Sequence, residues 1–177
     1  MSRIVGFLRG INLGKRRIKM ADLRQSFEKM GLADAQTLIA SGNVLFEAKM
    51  TGDLAQRIEA GLLADFGFEV PTILRTIDEL QGLEALQPFR NHPDTADQKR
   101  YVLFLARPET DRITAPLNVA GVYDVVSLTA REVFVVGYRQ PDGRTSEAME
   151  ALSTPFKDAI TTRNWNTIEK IISEAED

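Results

Sequence analysis

Apolar positions fall into two rhythms along this chain. Ile4-Val5-Gly6-Phe7-Leu8 is a continuous run of the kind a buried strand needs. Met20, Leu23, Phe27 and Met30 then recur every three or four residues, which places them on one face of a helix that Gly31 ends. Thr37 to Ala40 and Val44 to Phe46 flank Ser41-Gly42-Asn43, and the Gly-Asn pair predicts a two-residue β-hairpin turn. Leu54, Ile58, Leu62, Leu63 and Phe66 line a second helix stopped by Gly67, and Val70 to Leu74 follow as a strand. The predicted order is β-α-β-β-α-β, the split βαβ or ferredoxin-like arrangement, with helices on one face of an antiparallel sheet.

Beyond this unit, Thr76-Ile77-Asp78-Glu79 has capping-box spacing and should open a helix carrying Leu80, Leu83 and Leu86, with Pro88 ending it. Gln87 to Arg100 is polar and holds two prolines and the chain's one histidine, His92, as a connecting segment would. Strands are expected at Tyr101 to Leu105, Val122 to Leu128 and Glu132 to Val136, with a short helix between Pro108 and Asn118. Gln140-Pro141-Asp142-Gly143 reads as a turn, Glu147 to Leu152 and Pro155 to Ile160 as helical segments, and Thr161 to Thr167 as a loop. Ile168, Ile171, Ile172 and Ala175 form the inward stripe of a last helix. The division expected is a ferredoxin-like subdomain at 1–87, a polar connector at 88–100, and an α+β subdomain at 101–177 ending in that amphipathic helix.

Composition changes this picture little, but the distribution of charge does. The 177 residues are 44% hydrophobic and 27% charged with a net charge of −3, typical of a globular protein rather than a disordered chain or a bulk polyelectrolyte. Between Met1 and Arg24, however, seven bases face Asp22 alone, and a local field of that sign steers anions. With no cysteine, disulfides, thiolate catalysis and sulfur-ligated metals are excluded. The apolar run Ile4 to Leu8 is too short for a signal peptide's core or a membrane span, so cytoplasmic residence and no membrane association are expected.

Two stretches carry more polar capacity than their local structure needs. Gly10-Ile11-Asn12-Leu13-Gly14-Lys15 stands between a strand and a helix, where backbone amides with Arg9, Lys15 and Lys19 can meet an anion. It is one residue short of a P-loop, and Arg16 stands where that motif needs Ser or Thr. Thr161-Thr162-Arg163-Asn164-Trp165-Asn166-Thr167 surrounds the only tryptophan with hydrogen-bonding groups. Asn166 and Glu169 have capping-box spacing there, which leaves Thr162, Arg163, Asn164 and Trp165 as ligand candidates. Trp165 alone reads first as a packing residue. Ser41 and Asn43 are turn residues first and ligand contacts second. No Gly-x-Ser-x-Gly elbow, multi-histidine site or paired carboxylates exist, so no catalytic residue, cofactor or metal is assigned.

Taken together, Leu8 to Gly14 with Ile18 to Arg24, Ile39 to Val44, and Thr161 to Thr167 resemble the bacterial family called domain of unknown function 1697. The resemblance implies an α+β protein of two related ferredoxin-like subdomains and no established activity. The family usually has Gly where this chain has Lys15, and Gln where it has Ala40.

The expectation is therefore a protein that binds a small phosphate- or carboxylate-bearing ligand through Arg9, Asn12, Lys15, Lys19, Ser41, Asn43, Thr162, Arg163, Asn164 and Trp165. Two other readings stand beside it. In one, the basic N-terminal face binds nucleic acid or another protein; in the other, every motif is structural.

Overall fold

Strand β1 (Ser2–Leu8) is buried without interruption from Ile4 to Leu8, so both its faces are covered, as its unbroken apolar sequence requires. The computed structural model describes residues 1–39, 42–144 and 147–177, the side chains at 147 and 148 excepted. It resolves into two units, one of Met1–Gln81 with Ile171–Asp177 and one of Gly82–Lys170. The chain is an α+β protein with one antiparallel sheet in each.

In the first unit the elements are β1, α1 (Met20–Lys29), β2 (Ala33–Thr37), β3 (Asn43–Ala48), α2 (Leu54–Phe66) and β4 (Thr72–Thr76). The predicted order is the observed one. The sheet runs β2-β3-β1-β4, with β1 central between β3 and β4 and antiparallel to both. Leu23 and Phe27 of α1 and Leu54, Ile58 and Leu62 of α2 form one core with Ile4, Leu8, Val44 and Phe46 of the sheet. Phe27 meets Phe46 edge-on at 5.3 Å between ring centres, a favoured aromatic geometry. Gly31 and Gly67 follow their helices in the left-handed conformation that ends a helix without strain, both with φ of 78°.

Local differences have local causes. The first hairpin strand covers Ala33–Thr37 rather than Thr37 to Ala40, and beyond its end Leu38 N–H donates to the Asn43 carbonyl at 2.9 Å. Ala40 and Ser41 lie outside the described residues. Leu63 is 44% exposed and Leu86 61% exposed, so neither belongs to the inward stripe its spacing suggests. Helix α3 (Ile77–Ala85) does begin with the expected capping box. Thr76 N–H donates to Glu79 Oε2 at 2.8 Å, and Glu79 N–H donates to Thr76 Oγ1 at 3.1 Å.

The second unit holds β5 (Gln98–Leu105), β6 (Asn118–Val119), β7 (Tyr123–Leu128), β8 (Glu132–Tyr138), α4 (Glu147–Ser153), β9 (Ile160–Asn164) and the first part of α5 (Trp165–Glu176). Its sheet order is β6-β7-β8-β5-β9, antiparallel throughout. Leu103, Leu105, Val133 and Val135 point to one face and pack with Met149, Leu152, Phe156 and Ile160. Val102, Phe104, Phe134 and Val136 alternate to the opposite face and are fully buried as well. The helix expected between Pro108 and Asn118 is only a 3-10 turn at Thr110–Arg112, and the one expected over Pro155 to Ile160 is a 3-10 turn at Thr154–Phe156. Prolines at 108 and 116 leave too little uninterrupted chain for a full helix in the first case, and Lys157, with a positive φ of 50°, ends the second. Gly143 N–H closes the predicted turn on the Gln140 carbonyl at 2.8 Å.

Candidate functional site

After β1 the first unit's chain turns back on itself through three left-handed residues, Gly10, Asn12 and Gly14, with φ of 73°, 60° and 57°. Glycine adopts this conformation freely, and asparagine is among the few other residues that tolerate it. Asn12 N–H donates to the Arg16 carbonyl at 2.6 Å, and Arg16 N–H donates to the Leu13 carbonyl at 3.0 Å. Asn12 Oδ1 accepts from Ile18 N–H at 3.0 Å, clasping both ends of the loop. Ile11 and Ile18 are buried below it, while Lys15, Arg16, Arg17 and Lys19 are exposed. Among the described residues none of these four cations makes an ion pair; Arg16 instead lies 5.6 Å over the Phe68 ring. Arg9 is half-buried, and its N–H donates to the Pro71 carbonyl at 2.9 Å.

Asn43 begins β3 and is buried, with its Nδ2 donating to the Leu38 and Ile39 carbonyls, each at 3.4 Å. Its side chain therefore fastens the connection that precedes it. Ser41 lies outside the described residues.

In the second unit the stretch Thr161 to Thr167 is not a loop. Its first half completes β9, pairing Thr161 to Asn164 with Phe104 to Tyr101 of β5, and its second half is the start of α5. Asn164 is the cap: its Oδ1 accepts from Asn166 N–H at 2.9 Å, one residue pair earlier than the Asn166–Glu169 spacing suggests. Thr161 is buried and Thr162 half-buried. Arg163 Nη1 donates to Thr161 Oγ1 at 2.7 Å and to the Thr162 carbonyl at 2.9 Å. Burial pushes the Arg163 guanidinium down to about 10, still charged at neutral pH. Trp165 is buried against Phe89 at 5.6 Å and Phe134 at 5.7 Å, the packing role its area favours.

Above this aromatic cluster lies a polar network that the sequence did not reveal. Asn166 Nδ2 donates to Asp94 Oδ2, while its Oδ1 accepts from Arg100 Nη2. Arg100 Nη2 lies 3.5 Å from Glu169 Oε2, and Lys99 Nζ donates to Asp94 Oδ1 at 3.1 Å. The guanidinium also stands over Phe89 at 5.9 Å. A cleft of about 490 Å³ opens here, lined by Phe89, Arg90, Arg100, Trp165, Glu84 and Glu169 among others.

A family model described as protein of unknown function (DUF1697) matches residues 1–134. The chain belongs to the DUF1697 family. The match spans the first unit's β1-to-β4 run and continues into β8, so the clasped basic loop lies within it and Thr161 to Thr167 lies beyond it. Among solved structures, the chain is similar to a conserved bacterial protein, SP0830 from Streptococcus pneumoniae, with 26% identity and a TM-score of 0.76 over 100% of this chain and 99% of that one. No curated protein matches the sequence.

In this DUF1697 protein the predicted site residues thus divide by unit. Arg9, Asn12, Lys15, Lys19 and Asn43 belong to the first, and Thr162, Arg163, Asn164 and Trp165 to the second. Among the described residues no helix is long and apolar enough to cross a membrane, and no group of three or more His, Cys, Asp or Glu residues is placed to hold a metal ion. Of the cleft's lining, Trp165 is the one residue predicted as a ligand contact; Glu84, Arg90, Arg100 and Glu169 were missed, because Arg100 meets Asn166 from 66 positions away and no local spacing announces their contact.

Proposed function

We propose that this protein is a cytoplasmic binder of a small phosphate- or carboxylate-bearing ligand, and that in its first unit the loop after β1 supplies the attraction. The observation that carries this reading is the set of exposed cations Lys15, Arg16, Arg17 and Lys19, none neutralised by a carboxylate among the described residues. They ride on a backbone that Asn12 holds in one shape. Asn12 and Asn43 serve by positioning the backbone, while Lys15 and Lys19 make the charge contacts, with Arg9 at the loop's entry. The test is thermal denaturation with inorganic phosphate, pyrophosphate and citrate. At 100 times the dissociation constant a bound anion adds about 2.7 kcal/mol of stability, and a Lys15→Ala, Lys19→Ala double variant should lose that gain while keeping the parent's unliganded melting point. No stabilisation by any of the three anions defeats the reading.

A second reading is favoured by the same exposure. Cations that stand in solvent suit an extended polyanion such as nucleic acid. Affinity for a duplex oligonucleotide would then fall with roughly the 0.9 power of salt per phosphate neutralised, whereas a single small anion responds weakly.

A further inference from the structure

We propose that the cleft in the second unit is a binding site for a zwitterionic small molecule of the α-amino-acid class, carrying an apolar or aromatic side chain. The site lies on residues other than the basic loop, so it stands or falls separately from that reading. Its floor is built. Arg100 is fixed by Asn166 Oδ1, by Glu169 Oε2 at 3.5 Å and by the Phe89 ring, and its buried Nε has no hydrogen-bond partner. Its rim is open, because Arg90 and Glu84 are exposed and neither makes an ion pair among the described residues.

Charge selects the ligand class. Two guanidiniums and two carboxylates face one cleft, so its formal charge is balanced. A phosphate or simple carboxylate would gain from Arg90 and Arg100 but lie beside Glu84 and Glu169, and like charges at close range oppose binding. A molecule with a carboxylate at one end and an ammonium at the other satisfies both pairs at once. The guanidinium fork suits the carboxylate, and Glu84 suits the ammonium. Phe89 and Trp165 supply the apolar wall. The volume of about 490 Å³ lies within the usual range for small-molecule sites and exceeds the needs of a single ion.

The chain's only tryptophan lines this cleft and reports on it directly. Trp165 fluorescence would be followed while the intact protein is titrated with L-phenylalanine, L-phenylalaninamide, 3-phenylpropionate and inorganic phosphate. L-phenylalanine should give a saturable change below about 10 mM, with each singly charged analogue at least about tenfold weaker. Arg90→Ala and Glu84→Gln replace exposed residues, so each should weaken L-phenylalanine by about tenfold while leaving the far-ultraviolet dichroism unchanged. Equal binding of 3-phenylpropionate and L-phenylalanine, or of phosphate and L-phenylalanine, overturns the assignment. So does the lack of a saturable response to L-phenylalanine, or an unchanged affinity in both variants.

Discussion

The sulfur of Met30 lies where a β-carbon on Gly61 would have to go. Helix α2 therefore carries glycine at a mid-helix position where alanine would otherwise be preferred by about 1 kcal/mol. Gly61→Ala should realise less than that gain, because the flexible, half-buried Met30 side chain must first swing aside. In a Met30→Ala background the obstruction is gone, and the same change should realise the gain in full. Urea denaturation of the four proteins of this cycle gives the coupling energy, and purely additive effects would show that the two side chains do not compete for the space.

The reciprocal bonds between Thr76 and Glu79 predict a second result. Thr76→Ala removes the hydroxyl that accepts from Glu79 N–H and should cost about 1 kcal/mol, whereas Thr76→Ser keeps the acceptor and most of the stability. Chemical denaturation of both variants checks this. Equal losses would assign the effect to the methyl group's packing instead.

Acid should weaken the network around Asp94. Burial opposes ionisation of this carboxyl, but hydrogen bonds from Asn166 and Lys99 and the Lys99 and Arg100 charges outweigh it and hold it below its ordinary value. A carboxyl lowered in the folded state contributes stability above its unfolded value of about 3.9 and loses that contribution as pH falls through the folded value. Asp94→Asn should thus be less stable than the parent at neutral pH, with the deficit shrinking below about pH 4. A deficit independent of pH would remove the carboxylate's charge from the account.

At Asn12 two demands coincide, a positive φ and an acceptor for Ile18 N–H. Asn12→Gly keeps the first and loses the second, while Asn12→Ala loses both. Stability should fall for glycine by about 1 kcal/mol for the lost hydrogen bond, and for alanine by a further ~1–2 kcal/mol of left-handed strain. Thermal melts of the two variants test the ordering, and alanine equal to glycine would contradict it.

What could be read in advance follows from which forces are local. The β1 run, the α1 stripe of Leu23 and Phe27, and the helix stops at Gly31 and Gly67 depend on neighbours within a few residues, and all are where the pattern places them. Gln98, Lys99 and Arg100 look like connector yet extend β5, because pairing with Tyr138, Gly137 and Val136 outweighs their polarity. Thr161 to Asn164 look like loop yet form β9, the outermost strand of its sheet, where threonine's branched side chain suits a strand and polarity is tolerated. The basic loop was legible as charge, and its clasp was not, since the Asn12 bond depends on a backbone turn invisible in residue types. The cleft was least legible of all: Phe89, Arg100 and Glu169 meet only through tertiary contacts.

The polarity of β9 has one more consequence. A sheet border offers unpaired amides and carbonyls to any passing strand, and a border of valine or isoleucine would invite runaway stacking of copies into aggregates. Strand β9, Ile-Thr-Thr-Arg-Asn, is short and, after its buried isoleucine, polar and positively charged, a sequence with which a foreign chain gains little by zipping on.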